Sequence, residues 1–309
     1  MQTSNSLPKP NPGKKIDITV DGKKYKRYPI KTEVFKKGDE FAKKIAECVK
    51  DFIDRHPELD SGSKKKIPKP ASTRGERVRI DASDKWFVIV SEKIIAISQG
   101  RSYLIKDIKP SWWANTLSKF VTKTPYGIGL GSPWTMELAI GEVGLTRILF
   151  ASICAVLTKP FGMKGVFYHV AGQAARSIDG PTECSMYPSN VSAKLGPKEP
   201  SKAACQISQE VSKQLSVDSN TRESHPEFPP ASHAKHCGHG ISGSKEKYRP
   251  KDYNLIANSF SGVVVIDAND LGRNVLGNAT DKPDSFFEGV MRDNPMGQGR
   301  EGTPVVVFY

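Results

Sequence analysis

The feature that most constrains the fold is a run of four β-branched residues, Val263, Val264, Val265 and Ile266, inside the stretch GVVVIDANDLG (262–272). A short β-branched run without polar alternation reads as a buried strand. It stops abruptly on Asp267, Asn269 and Asp270, then a glycine. Carboxylates have no place inside such a strand. They belong at its exposed end, where polar loops carry chemistry. The same residues also make a good turn, because Asx side chains bond their own backbone. From this fragment alone, the turn stands ahead of the site.

The rest of the chain alternates strands and helices irregularly. YPIKTEV (28–34) is extended. Apolar residues at 41, 45, 49 and 52–53 give residues 38–53 helical spacing. WFVIVSEKIIAISQG (86–100) reads as two short buried strands or one long bent strand. Residues 133–158 suggest two helices broken near Gly144, and the stretch 164–175 starts as a strand. Residues 201–215 form an amphipathic helix after a proline, 283–292 are helical, and PVVVFY (304–309) is a terminal strand. This mixture predicts an α+β fold, with mixed sheets and flanking helices. The 309 residues suffice for two sizeable cores or one large domain with insertions.

The net charge of +13 is unevenly placed, with 21 Lys/Arg against 11 Asp/Glu in residues 1–80. A solvated basic lead segment explains this. Nucleic-acid binding is the weaker alternative, since no aromatics interleave the lysines as a single-strand binder needs. The longest strongly apolar stretch, ILFASICAVL (148–157), is about half of the roughly 20 residues a membrane span needs. It is expected to be a buried helix, and no membrane association is expected. The N-terminus lacks the apolar core of a signal peptide. Five cysteines without a CxxC pair suggest reduced thiols and a cytoplasmic setting.

Several residues are candidates for chemistry. Asp267, Asn269 and Asp270 offer hard oxygens of the kind Mg²⁺ and Mn²⁺ prefer. Asp179, before Gly180 and a proline, is a second acidic turn; it can join Asp267 only if the two meet in space. Gly100 and Arg101 follow the apolar stretch 86–99, and a backbone N–H beside a guanidinium suits a phosphate. Gly297, Gly299 and Arg300 form a second possible phosphate loop, although a lone Gly-x-Gly is weak. No GxxxxGK[ST] occurs, and the glycines at 127, 129 and 131 lack Rossmann context. His233, His236, Cys237 and His239 could hold zinc, but their polar glycine-rich setting reads as a loop. His169 is expected to be packed, and Cys184 lacks a nucleophile's surroundings.

Four segments in order carry a resemblance: YPIKTEVFKKGDEFAKKI, SEKIIAISQGR, GVFYHVAGQAARSIDGPTE and VVVIDANDLGRNVLG. Together they resemble the coenzyme F420-0 gamma-glutamyl ligase family. The resemblance implies a gamma-glutamyl-ligase-like fold over 28–309, with a flexible basic N-terminus over 1–27 and insertions at 111–163 and 216–258. It implies that GTP, or ATP, activates a carboxylate as an acyl phosphate, which an amino-acid amine then attacks. It implies Mg²⁺ or Mn²⁺ held by Asp179 and Asp267 with Asn269 and Asp270 in support, nucleotide phosphates facing Gly100 and Arg101, and a homodimer. Where the family has Ser-Lys and Glu before Gly-Arg, this chain has Ala96, Ile97 and Gln99. That departure points to an acceptor other than F420-0. A non-catalytic nucleotide- or anion-binding module of the same fold is the alternative.

Overall fold

A computed structural model describes residues 14–55, 85–121, 129–163, 165–181, 187–221, 258–268, 272–297 and 302–309. Its centre is a six-stranded mixed sheet. The strands are β1 (Asp17–Val20), β2 (Lys23–Ile30), β3 (Trp86–Ser91), β6 (Phe260–Ala268), β7 (Arg273–Ala279) and β8 (Val305–Phe308), in the order β1-β2-β8-β3-β6-β7. β3 and β6 run parallel, and every other neighbouring pair is antiparallel.

The unbroken apolar runs follow from this layout. Successive strand residues point to opposite faces, and here both faces are covered. Val88, Val90, Val263, Val265, Val305 and Val307 meet helices α1 (Phe41–Arg55) and α8 (Pro200–Thr221). Phe87, Ile89, Val264, Ile266, Val306 and Phe308 meet the last helix, α9 (Asp284–Val290), through Phe286, Phe287 and Val290. A strand buried on both sides has no polar alternation to display. Each such side chain stabilises the fold by about 1.5–3 kcal/mol relative to exposure.

α8 approaches the sheet closely at Gly277. A Cβ built there would lie 2.3 Å from the Pro200 carbonyl oxygen and 2.6 Å from the Ser201 nitrogen, both backbone atoms that cannot swing aside. Gly277→Ala should therefore cost about 1–3 kcal/mol by forcing α8 off the sheet. A denaturant melt checks this, and an unchanged midpoint would show that α8 yields without cost.

A second, smaller core lies apart from the sheet. It joins α3 (Trp112–Leu117), α4 (Pro133–Val143), α5 (Leu145–Thr158), α6 (Val166–Ala171) and α7 (Gln173–Arg176) through residues such as Ala114, Met136, Ile148, Ala151 and Ala171. A two-stranded ladder of β4 (Ser102–Leu104) and β5 (Ser192–Lys194) adjoins it.

Four sequence expectations are corrected. Residues 86–100 are not all strand: β3 ends at Ser91 and helix α2 (Glu92–Ser98) follows, burying Ile94, Ile95 and Ser98 at helical spacing. The β-branched isoleucines mimicked a strand. The stretch beginning GVFYH is helix α6, not strand. Its aromatic and β-branched composition is overridden by packing on α5, where Arg147 Nε donates to the Val170 carbonyl at 3.0 Å. Within the segment expected to be flexible over 1–27, residues 17–27 form β1 and most of β2, with Arg27 wholly buried. Finally, α5 buries only Ile148 and Ala151, while Phe150, Ile153, Val156 and Leu157 are exposed.

Candidate functional site

Ser91 of β3 pairs with Ile266 of β6. Because these strands are parallel, the residues that follow, Glu92 and Asp267, lie side by side: Glu92 turns into α2 while Asp267 stays in β6, paired with Asn274 of β7. β8 begins at the same end, since Val305 pairs with Val90 and the Ser91 N–H donates to the Pro304 carbonyl at 2.8 Å. The chain leaving β2 arrives there too, with the Thr32 N–H donating to Gly302 at 3.0 Å. Ligands of open sheets sit outside the carboxyl ends of parallel strands, and this is such an end.

Asp179 reaches the site from the second core. It exchanges backbone hydrogen bonds with Lys194 at 2.9 and 2.8 Å, along the edge of β5 opposite β4, where Lys194 pairs with Ser102. That pairing delivers Asp179 and Lys194 together. The Lys93 ammonium lies 3.3 Å from the Asp179 carboxylate.

Three carboxylates and two ammonium groups thus share one neighbourhood. Glu92 is only 4% exposed. Burial, then the charges of Asp267 and Asp179, push its carboxyl well above the usual range, against the pull of Lys93 and Lys194. Burial and Asp179 raise the half-buried Asp267 in the same way. Lys194 is driven down to about 8, chiefly by burial and then by Lys93.

The donor set suits a hard divalent cation. Glu92 Oε2 is buried without a hydrogen-bond partner, and an orphaned carboxylate oxygen among like charges is what a cation would satisfy. Among the described residues, however, no three such side chains close into a ready cage.

A stability test follows. Carboxylates whose folded pKa is raised stabilise below the ordinary carboxylate range and lose that contribution as pH rises through the folded value. In chelator-treated protein, Glu92→Gln should therefore melt above the parent at neutral pH. The gap should close in acid, where both carboxyls are protonated. Equal melting at neutral pH would show that Glu92 is not strained by its neighbours.

The remaining predicted residues divide. Arg101 is buried, its Nε donating to the Gly196 carbonyl at 2.5 Å and its terminal nitrogen pairing with Glu142 at 2.6 Å. These contacts tie β4 to α4. Gly100 has φ +72° and lies under the Lys37 side chain. Gln99 explains one departure from the family pattern. Its amide donates to the Lys198 carbonyl at 3.0 Å while its oxygen accepts the Lys198 N–H at 2.7 Å, a double clamp that a carboxylate could not make. Gly297 takes φ +71° in the turn after α9.

Asn269, Asp270, Gly299, Arg300, Cys184 and the residues from His233 to His239 lie outside the described residues. His169 is exposed on α6 rather than packed. Sequence reasoning missed Glu92, Lys93 and Lys194. An acid–base pair directly after an apolar strand was a usable signal for the first two; nothing local marked Lys194.

Residues 29–220 match the model of the F420-0:gamma-glutamyl ligase family. The match spans more than half of the chain. The chain belongs to the F420-0:gamma-glutamyl ligase family. Its mixed sheet with flanking helices agrees with that membership. Glu92, Lys93, Asp179 and Lys194 fall inside the matched region, whereas Asp267 lies beyond it and joins the site by strand register alone. No curated protein matches the chain.

Proposed function

We propose that the protein is a nucleotide- and divalent-metal-dependent amide ligase whose acceptor is a carboxylic acid other than F420-0. The observation that carries this reading is the meeting of Glu92, Asp179 and Asp267 at the end of β3 and β6, in a chain of a gamma-glutamyl ligase family. These three oxygen donors would hold Mg²⁺ or Mn²⁺, with Asn269 and Asp270 next in sequence to Asp267. When bound, the ion would offset phosphate charge during phosphoryl transfer.

The reaction forms and breaks one bond in each half. A carboxylate oxygen of the acceptor attacks the γ-phosphorus, and the nucleoside diphosphate leaves. An amine nitrogen then attacks the acyl carbon, phosphate leaves, and the ammonium proton must go to a base. Lys93 provides positive charge beside the carboxylates, where phosphate oxygens would lie. Lys194, with its pKa near 8, can exchange a proton close to neutral pH. Because Arg101 is engaged by Glu142, Gly297, with Gly299 and Arg300 near it in sequence, is the better candidate to meet the nucleotide phosphates.

Phosphate release tests this reading, measured with GTP or ATP, Mg²⁺ or Mn²⁺, glutamate, and a panel of carboxylic acids. Release that requires the metal, the nucleotide and one acid together is expected. Thermal stabilisation by nucleotide and metal, with no release across the panel, would instead make the protein a binding module.

A further inference from the structure

α5 presents an inverted amphipathic pattern. Ile148 and Ala151 face the second core, while Phe150, Ile153 and Leu157, spaced as one helical stripe, are 60%, 57% and 65% exposed. The apolar character continues past the helix, where Phe161 is 82% exposed, and on the α3 segment, where Trp112 and Phe120 are 69% and 79% exposed. So many large apolar side chains in solvent on one small subdomain mark an interaction surface.

Charge decides the partner. Lys119, Arg147 and Lys159 are interspersed with these residues and exposed. The carboxylates of α4 are drawn away, Glu137 into hydrogen bonds with Ser111 and Glu142 into its pair with Arg101. A second copy docking here would set like charges against each other. Exposed tryptophan and phenylalanine beside basic residues suit a lipid interface, where the rings seat at headgroup level and the cations meet anionic lipid.

Geometry decides the mode. Among the described residues no single helix is long and apolar enough to cross a membrane, and α4 and the α5 segment bend by 115° at their junction. The 14 residues of α5 reach only about 21 Å, against a hydrocarbon core of about 30 Å. We propose that α5, with the exposed aromatics of the α3 segment and Phe161, lays the protein on the surface of an anionic bilayer.

Co-sedimentation of the full chain with phosphatidylcholine vesicles, with and without phosphatidylglycerol, tests this. Binding is expected only with phosphatidylglycerol, together with a blue shift of tryptophan emission. The triple variant Phe150→Gln, Leu157→Gln, Phe161→Gln should bind about tenfold more weakly or worse, with unchanged melting because all three positions are exposed. Lys119→Glu with Lys159→Glu should weaken binding while leaving the apolar face intact. The proposal is overturned if the parent binds neither vesicle, or if the triple variant binds as well as the parent. It is also overturned if the parent is a dimer that the triple variant splits and no vesicle is bound, which would assign the face to a second copy. None of these readouts depends on the ligase reaction.

Discussion

Asp267→Asn is expected to lower metal-dependent nucleotide turnover by about 10²–10³-fold, a loss of about 2.7–4 kcal/mol in transition-state stabilisation, while the melting temperature stays level or rises. The two halves of the expectation come from the same geometry. Asp267 stands at the end of β6, abreast of Glu92 and within the field of Asp179. As a ligand, its negative charge is what a cation needs, and an amide of the same shape supplies only a neutral oxygen. As part of the metal-free fold, that charge is a burden, because burial and Asp179 already push its carboxyl upward. A structural carboxylate would give the opposite pattern, with stability falling and any activity falling only in step. Turnover and melting measured on the same preparation separate the cases. Retained turnover would remove Asp267 from the site and with it the three-carboxylate arrangement.

Arg27→Met should destabilise the fold by about 3 kcal/mol or more, read from denaturant unfolding at neutral pH. Arg27 is fully buried, and its guanidinium closes a junction between distant parts of the chain. It pairs with Asp293, donates to the Val290 carbonyl at 2.7 Å, and donates to the Lys15 carbonyl at 2.6 Å. Methionine fills much of the volume yet leaves these acceptors unpaired. The cost stays near the lower end of the range for broken buried pairs because the Asp293 side chain keeps 35% of its exposure. Burial would raise the Asp293 carboxyl, but the Arg27 hydrogen bond and charge outweigh it and hold the carboxyl below its usual range. A depressed folded value gives stability that is present above the ordinary carboxylate range and lost as pH falls through the folded value. The parent should therefore lose more stability on acidification than the variant. An equal acid loss in both proteins would show that the pair does not set that part of the pH dependence.

Much of the fold was legible because it rests on local pattern. The apolar runs at 263–266 and 304–309, the helical spacing of 38–53 and 201–215, and the break near Gly144 each reflect burial of neighbouring positions, which a linear sequence records. Two of the misreadings share one cause. α2 and α6 are rich in β-branched and aromatic residues, and such residues accept either backbone state until a neighbouring surface chooses. The exposed face of α5 was read as buried because an apolar helix in sequence does not say whether anything covers it.

The site divides along the same line. Sequence alone determined that Asp267 stands at the end of a buried strand and that Asp267 and Asp179 both carry the oxygens a divalent cation prefers; the turn expected at Asp179 is instead an extended pairing with Lys194. Only the tertiary structure decided that they meet. β3 and β6 are far apart in the chain, and their parallel pairing sets Glu92 beside Asp267, while the backbone exchange between Asp179 and Lys194 brings in the rest. Strand register and ladder pairing are long-range contacts, whose free energy comes from covering both faces of the sheet at once. No window of neighbouring residues contains that information.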